Sequence, residues 1–166
     1  MTTLAFHGDF ASGEMLREDA GNPDFIDEYP DWTRKDRRNI SGMSKMIGLA
    51  CESPVVLIGY SRGGQIAARI AAVNRRIKGL VLYEAPLTTS DIAALPRRVA
   101  VTYIRSIVRS TLPWRNRRKA KIIEGLRELP DFTLMDSSLP HVHKLRHGWD
   151  QNLNGDIATW LRERWK

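Results

Sequence analysis

The stretch VVLIGYSRGGQIAARIAAVN, residues 55–74, limits the possible folds of this chain more than any other stretch. Its first four residues are aliphatic without polar alternation, which predicts a strand buried on both faces, as inside a parallel sheet. After GYSRGG the sequence becomes rich in alanine with helical periodicity, which predicts a helix lying close to the sheet. A strand that turns directly into such a helix is typical of α/β proteins, so we expect that fold class.

The rest of the chain repeats this alternation, which favours a three-layer α/β/α sandwich with a mostly parallel sheet. The length of 166 residues suits a single domain covering residues 1–166. We predict six strands, at residues 3–6, 24–29, 55–58, 79–83, 100–104 and 132–135. We predict five helices, at residues 11–19, 40–51, 65–73, 117–129 and 156–165. Ligands of open sheets bind at the carboxyl ends of the strands, so we expect the functional site there.

Composition excludes several classes of protein. A single cysteine, Cys51, excludes an internal disulfide framework and fits a reducing compartment. No window of about 18 apolar residues exists, so we expect no membrane-spanning helix. The first eight residues lack the basic and apolar regions of a signal peptide, so we expect a cytoplasmic location.

Charge is unevenly distributed in this chain, whose formal net charge is +7. Residues 1–31 contain eight acids and one base, whereas nine bases and no acid lie between Asp91 and Glu124. The nine bases are Arg97, Arg98, Arg105, Arg109, Arg115, Arg117, Arg118, Lys119 and Lys121. Such a block can bind phosphate or an acidic surface, or it can be a solvated helix face. We favour the solvated face and expect no nucleic-acid partner; the sequence leaves the oligomeric state open.

Ser61 stands at the centre of a G-x-S-x-G pattern, between a predicted strand and a predicted helix, which is the context in which that pattern carries a nucleophile. Glycines on either side let the strand and the helix pass closely. The helix N-terminus favours negative charge beside the hydroxyl. The alternative is a glycine-rich turn with a non-catalytic serine. GYSRGG has neither the G-x-G-x-x-G spacing nor the lysine of phosphate-binding loops.

The segment VVLIGYSRGGQIAARIAA also resembles the nucleophile elbow of the α/β-hydrolase superfamily. LAFHGDF resembles the family's first oxyanion-hole segment, GLVLYEAPL the strand after the nucleophile helix, and LPDFTLMDSSLPHVHKL the last strand with its histidine loop. The resemblance covers most of the chain. It implies a minimal α/β-hydrolase fold and a small, lidless serine hydrolase that uses no cofactor, with Ser61 as the nucleophile. The spacing of the histidines indicates no metal site.

The resemblance places the catalytic base in the loop after the last strand, because a serine hydroxyl needs a base to accept its proton. Three histidines lie in that part of the sequence: His141, His143 and His147. The similarity of LPHVHKLRH to the family's histidine loop favours His141. The distance to the closing helix favours His147, so the two spacings disagree and the choice stays open.

The resemblance also implies an acid that orients the histidine. The family normally carries it after the strand predicted at residues 100–104, but YIRSIVRSTLPW contains no acid. Glu84, at the end of the preceding strand, occupies the alternative family position; its other interpretation is a structural glutamate. A pair of Asp136 and His147 would be a different arrangement of the triad. If no acid is in reach, the protein works as a serine–histidine dyad or is inactive.

By the same resemblance, the oxyanion hole consists of the backbone N–H groups of Arg62 and Asp9. The carboxylate of Asp9 would then lie near a developing negative charge. We therefore expect it to point away or to be paired with Arg62 or another base. We expect His7 to pack behind the oxyanion loop rather than to act as a base.

The sequence thus predicts a carboxylesterase-like serine hydrolase that cleaves an ester, or a related acyl bond, of a small molecule through an acyl-enzyme. Only sixteen residues, 84–99, separate two predicted strands where larger relatives insert a lid domain. We therefore expect an open cleft and a small or flexible ester. The alternative function is a catalytically inactive protein of this fold that serves in binding or regulation.

Overall fold

A sheet of five parallel strands forms the centre of the part of the chain that the structure describes. The structure is a computed structural model that describes residues 1–9, 11–32, 35–51, 54–140 and 149–165. The strands are β1 (Thr2–Phe6), β2 (Val55–Tyr60), β3 (Ile77–Tyr83), β4 (Ala100–Ser106) and β5 (Phe132–Ser137). The helices are α1 (Gly13–Ala20), α2 (Ile40–Ala50), α3 (Arg62–Val73), α4 (Thr89–Ala93), α5 (Pro113–Leu126) and α6 (Asn154–Arg164), with 3₁₀ turns at Asp36–Arg38 and Gln151–Leu153.

The strands lie in the sheet in the order in which they occur in the sequence, β1-β2-β3-β4-β5. Because every neighbouring pair is parallel, all carboxyl ends meet at one edge of the sheet. At that edge Phe6 lies opposite Gly59, and Tyr60 lies opposite Tyr83. The ends of β1, β2 and β3 are therefore side by side.

Helices cover both faces of the sheet, which confirms the predicted three-layer α/β/α sandwich. One core joins the sheet to α1 and α6, and the other joins it to α2, α3 and α5. Consecutive residues of β2 belong to opposite cores: Val56 packs toward α1 and α6, and Leu57 toward α3. All six residues of β2 are buried, as the unbroken aliphatic run predicts.

The prediction of a sixth strand at residues 24–29 is wrong. The chain makes only an isolated bridge there, between Leu4 and Glu28, and the N–H of Ala5 donates to the Glu28 carbonyl at 2.9 Å. Pro30 has no N–H with which to continue the hydrogen bonds to β1, so the pairing stops after one step.

Three helices begin earlier than the sequence predicts, among them α6, which begins at Asn154, and one helix was not predicted. Helix α3 begins at Arg62, immediately after the serine, and α5 begins at Pro113. Proline suits the first helical position because its φ is already helical and its missing N–H would have no partner there. The short helix α4 is held by a capping box between Thr88 and Asp91. Among the helices of the described ranges, none has the length and apolar character needed to cross a membrane.

Candidate active site

Ser61 lies at the corner between β2 and α3 in a conformation that is uncommon for a residue with a side chain. Its φ is 51° and its ψ is −120°. Hydrogen bonds hold the corner: the Ser61 N–H donates to the Tyr83 carbonyl at 2.8 Å, and the Ser61 carbonyl accepts from the Gly64 N–H at 3.0 Å. The serine side chain makes no capping hydrogen bond to α3. The backbone is thus fixed while the hydroxyl is not used to cap the helix.

The glycines around Ser61 allow an approach that no other residue would permit. A Cβ atom on Gly63 would overlap the carbonyl oxygens of Phe6 and His7. A Cβ atom on Gly59 would overlap the Cα atom of Gly64. The start of α3 therefore packs directly on the end of β1, which confirms that crowding is the reason for the glycines.

The carboxylate of Glu84 is buried where β3 ends. Glu84 has a φ of 49°, and its side chain is 8% exposed. Its Oε1 accepts a hydrogen bond from the Ser106 N–H at 2.5 Å and lies 2.8 Å from the Lys119 Nζ. The carboxylate thus joins the ends of β3 and β4 to α5, and the half-buried cation of Lys119 balances its charge.

Asp9 and Arg62 form an ion pair, with 3.4 Å between Asp9 Oδ2 and Arg62 Nε. Arg62 also donates to Gln65 Oε1 at 2.5 Å, and Gln65 Nε2 donates to Asp91 Oδ2 at 2.7 Å. Arg69 Nε donates to the other oxygen of Asp91 at 2.7 Å. This chain of contacts links the loop after β1 to α3 and α4. Of the alternatives that the sequence left open for Asp9, the structure has the pair with Arg62.

Asp91 is the buried end of this chain of contacts. Burial by itself would raise the pKa of its carboxyl group. Hydrogen bonds from Arg69, Thr88 and Gln65 outweigh that effect and lower the pKa to about 2. Asp91 is therefore an anion over the whole neutral range, and it holds α3 and α4 together.

His7 is buried behind the loop after β1, as expected. Its Nδ1 donates to the Gly8 carbonyl at 2.8 Å, and its Nε2 accepts from the Trp32 N–H at 3.2 Å. Its Nε2 also lies 3.6 Å from Asp31 Oδ1, so contacts at both ring nitrogens hold the imidazole in place. His7 positions the segment that leads to Asp9.

A cleft of about 520 Å³ lies at the carboxyl edge of the sheet and brings Asp9, Ser61, Arg62 and Glu84 together. One wall is formed by residues 108–122 of the segment after β4 and of α5. The residues from that wall are Val108, Arg109, Ser110, Thr111, Leu112, Trp114, Arg115, Arg118, Lys119 and Ile122. No three His, Cys, Asp or Glu side chains of the described ranges are arranged to hold a metal ion.

The three candidate bases, His141, His143 and His147, lie outside the described residues. Pro140, which directly precedes them in the sequence, lines the cleft. Asp136 is held by Arg105 on the neighbouring strand, with 2.7 Å between Arg105 Nε and Asp136 Oδ1. Asp136 lines a separate cleft beside α6.

Both sides of the histidine segment are tied to one buried group, Asp150. Its Oδ2 accepts from the Ser137 hydroxyl at 3.1 Å and from the Ser138 N–H at 3.2 Å. The Asp150 N–H donates to the Tyr83 hydroxyl at 2.9 Å, and that hydroxyl donates to Ser137 Oγ at 2.8 Å. The residues before and after the segment 141–148 are thus held next to the end of β3.

Sequence reasoning missed the contribution of α5 to the cleft. Trp114 is 54% exposed on the cleft wall, and Arg115 and Arg118 lie on the same helix. The available signal was the pair Leu112–Pro113, since proline marks a helix start and an exposed tryptophan beside arginines follows it. The prediction of a start at residue 117 placed Trp114 outside the helix.

The chain resembles known proteins in its fold, whereas its sequence matches none of those compared. No family model and no curated protein matches the sequence. Solved structures do match. A variant of SOBER1 from Arabidopsis thaliana superposes with a TM-score of 0.68 at 14% identity, covering 100% of both chains. The esterase PF2001 of Pyrococcus furiosus gives 0.61 at 13%, covering 98% of this chain and 81% of its own.

The esterase domain of a Rhodothermus marinus protein gives a TM-score of 0.66 at 12% identity, covering 98% of this chain and 86% of its own. These structures share the α/β-hydrolase fold, and the match extends over almost the whole of this chain. The fold implied by the resemblance of the sequence is therefore confirmed.

Proposed function

We propose that this chain, which has the α/β-hydrolase fold, is a serine hydrolase that cleaves a carboxylic ester, or a related acyl bond, through an acyl-enzyme. The observation that carries the proposal is Ser61 itself. It is a serine with positive φ, at a strand-to-helix corner crowded by glycines, on the wall of a cleft. Backbone strain of this kind clusters at functional sites because the surrounding structure must maintain it.

In the proposed reaction, Ser61 Oγ attacks the carbonyl carbon of the ester while a histidine accepts the hydroxyl proton. The backbone N–H groups of Arg62 and Asp9 stabilise the charge that forms on the carbonyl oxygen. The bond to the leaving group then breaks, and the leaving oxygen takes the proton from the histidine. Water, deprotonated by the same histidine, attacks the acyl-enzyme; the bond to Ser61 Oγ breaks, the acid is released, and Oγ takes the proton from the histidine.

Two features support the assignment of the oxyanion donors. Arg62 occupies the first position of α3, where the N–H has no acceptor within the helix. The close packing of Gly63 on the Phe6 and His7 carbonyls brings the chain that leads to Asp9 next to this helix start. The ion pair of Asp9 with Arg62 compensates the carboxylate charge beside the developing oxyanion.

We propose His141 as the base, with His143 and His147 as alternatives. The supporting observation is that Pro140, its neighbour in the sequence, lines the cleft that contains Ser61. The contacts of Asp150 hold both sides of the segment near the end of β3. Because the sequence spacings disagree, substitution of each histidine is needed to identify the base.

We propose Glu84 as the acid that orients the histidine. Glu84 lines the cleft, and the Ser106 N–H and Lys119 fix the position of its Oε1. A carboxylate held in place in this way can stabilise an imidazolium as it forms. The proposal does not need an acid after β4, where the sequence has none.

Labelling with a fluorophosphonate probe and hydrolysis of 4-nitrophenyl acetate test the proposed function. We expect the wild-type protein to be labelled and Ser61→Ala to lose both labelling and hydrolysis. The matched control is Ser110→Ala, because Ser110 lines the same cleft. We expect the control to keep both activities. Labelling that persists in Ser61→Ala, or no labelling of the wild type, would contradict the proposal; the second result would favour a binding or regulatory protein.

The three histidines are compared by single substitutions to alanine. General acid–base catalysis contributes about 10²–10⁴-fold to the rate, so removal of the base should lower the acylation rate by that factor. We expect this loss in His141→Ala and less than about a tenfold change in the other two variants. An unchanged rate in His141→Ala would move the assignment to whichever variant is inactive.

A further inference from the structure

We propose that the substrate of this site carries an anionic group, a carboxylate or a phosphate, which binds to Arg109, Arg115 and Arg118 on the cleft wall. The inference rests on the proposed function and specifies its substrate class. The side chains that line the cleft include five cations and two carboxylates.

The two carboxylates of the cleft are both engaged. Asp9 is paired with Arg62, and Glu84 is paired with Lys119. The remaining cations are the three arginines of the proposed subsite. Among the residues that the structure describes, none of these three forms an ion pair with a carboxylate. The cleft therefore has an excess of positive charge that an anionic ligand would balance.

Some arginines outside the cleft have acidic partners. Arg69 pairs with Asp91, Arg105 with Asp136, and Arg164 with Asp131. These pairs show that the fold provides carboxylates for arginines at structural positions. Exposed arginines outside the cleft, such as Arg97 and Arg117, also form no ion pair among the described residues. What distinguishes Arg109, Arg115 and Arg118 is that they line the cleft that contains Ser61.

Two of the three arginines are held in defined positions by uncharged groups. Arg118 donates to the Pro86 carbonyl at 2.8 Å. The Arg115 guanidinium lies 5.2 Å from the centre of the Trp114 ring. Contacts of this kind orient a guanidinium without neutralising it, and its planar set of donors matches a carboxylate or a phosphate.

The apolar residues of the same wall favour an organic anion. Val108, Leu112 and Trp114 are exposed to 44%, 41% and 54% and lie beside the arginines. The cleft volume of about 520 Å³ is that of a small-molecule site. A ligand that combines an apolar body with a single anionic group would contact both kinds of side chain.

The basic block of the sequence does not form one continuous surface. Arg97 and Arg98 precede β4, whereas Arg109 and the arginines of α5 follow it. The seven residues of β4 separate the two groups by about 23 Å along the strand. A nucleic-acid surface along the whole block is therefore disfavoured, and the charge that matters is the part at the cleft.

Direct binding to Ser61→Ala tests the inference, because this variant cannot turn the ligands over. Calorimetric titrations would compare 4-acetoxybenzoate, 4-acetoxyphenyl phosphate and the neutral 4-acetoxybenzamide. We expect at least one anion to bind about tenfold or more tightly than the amide, which corresponds to a single charge-assisted contact of about 1.4 kcal/mol. The anion with the higher affinity shows whether the site prefers a carboxylate or a phosphate.

Arginine variants in the same background locate the subsite. We expect Arg115→Gln and Arg118→Gln each to lower the ratio of anion to amide affinity at least fivefold. Arg117→Gln is the matched control, since Arg117 lies between them in the sequence and does not line the cleft. It carries the same change of charge and should leave the ratio unchanged.

Equal affinities for the anions and the amide would overturn the inference, as would an equal loss in Arg117→Gln. Binding to phosphatidylglycerol vesicles or DNA, with no discrimination among the three esters, would also overturn it.

Failure of the anion subsite can be distinguished from failure of the proposed hydrolase. Anion binding without any hydrolysis by the wild type would sustain the subsite and contradict the hydrolase. Hydrolysis without preference for the anions would do the reverse.

Discussion

Two residues at neighbouring strand ends, Ser61 and Glu84, have positive φ values of 51° and 49°. Residues with side chains rarely adopt such values, and each instance costs about 1–3 kcal/mol. Both conformations are stabilised by backbone hydrogen bonds, because Ser61 donates to Tyr83 and Glu84 donates to Ile104. Both residues line the same cleft, so the two strained positions lie where we propose the reaction to occur.

Glu84→Gln tests whether the carboxylate serves catalysis. The substitution keeps the shape of the side chain and removes its charge, so the histidine would lose its orienting partner. We expect kcat for 4-nitrophenyl acetate to fall by about 10²–10⁴-fold. The measurement is steady-state hydrolysis, with circular dichroism to verify that the variant is folded.

Lys119→Met is the control for the structural role of Glu84. It removes the ion pair at 2.8 Å but leaves the carboxylate and its hydrogen bond from Ser106. We expect it to lower stability while kcat falls much less than in Glu84→Gln. Equal losses of kcat in the two variants would indicate that Glu84 acts only by holding α5 in place.

At the scale of elements, the contact between β1 and α3 determines the geometry of the site. Gly63→Ala would drive a Cβ atom into the Phe6 and His7 carbonyls, both of which belong to the backbone and cannot rotate away. We expect a loss of about 3 kcal/mol or more in the free energy of unfolding, or no folding. Urea denaturation measures the change.

The comparison variant is Gly48→Ala in α2, where an added Cβ atom meets nothing within 4 Å. Alanine is a better helix former than glycine, so we expect stabilisation by about 0.5–1 kcal/mol. Stabilisation of both variants would contradict the close contact of Gly63 with the end of β1.

The elements around Ser61 could be predicted because their causes are local. The aliphatic run of β2, the glycines of the corner and the alanines of α3 are adjacent in the sequence. Residues 24–29 misled the prediction because strand formation at a sheet edge depends on the partner, and Pro30 ends the pairing. The wall formed by α5 was not predicted, since the position of Arg115 or Trp114 relative to Ser61 depends on packing between distant segments.

In the candidate site, too, some contacts could be predicted from the sequence and others could not. The pairing of Asp9 with Arg62, 53 residues away, was one of the expected alternatives, because the resemblance placed both residues at one oxyanion hole. The pairing of Glu84 with Lys119 was not expected, since nothing near Glu84 in the sequence indicates which cation α5 brings to it. Local patterns thus predict the corner, whereas partners from other elements need the assembled fold.

At the scale of the whole molecule, buried tyrosines limit stability in alkali. Burial raises the pKa of Tyr83 to about 12, although hydrogen bonds to Ser137 and Asp150 oppose the shift. Burial also raises the pKa of Tyr29 to about 12 and raises that of Tyr103. A tyrosine whose pKa is higher in the folded state stabilises the fold fully below its unfolded pKa near 10. That contribution is lost as the pH rises toward the folded value.

We therefore expect the free energy of unfolding to fall between about pH 10 and pH 12, by about 2 kcal/mol for Tyr83 alone. Tyr83→Phe should be less stable at neutral pH and should show a smaller decline over that range. Urea midpoints at several pH values, with absorbance at 295 nm to follow tyrosine ionisation, measure both effects. Identical declines in the two proteins would contradict the role of Tyr83.

The agreement between strand order and chain order has a consequence for biosynthesis. A nascent polypeptide that folds while it emerges from the ribosome can add each strand to one already made. The serine corner needs only β1, β2, α3 and the Tyr83 carbonyl, all of which are translated before the arginine wall. Translation therefore supplies every part of the serine corner before it supplies the helix that we infer to select the substrate.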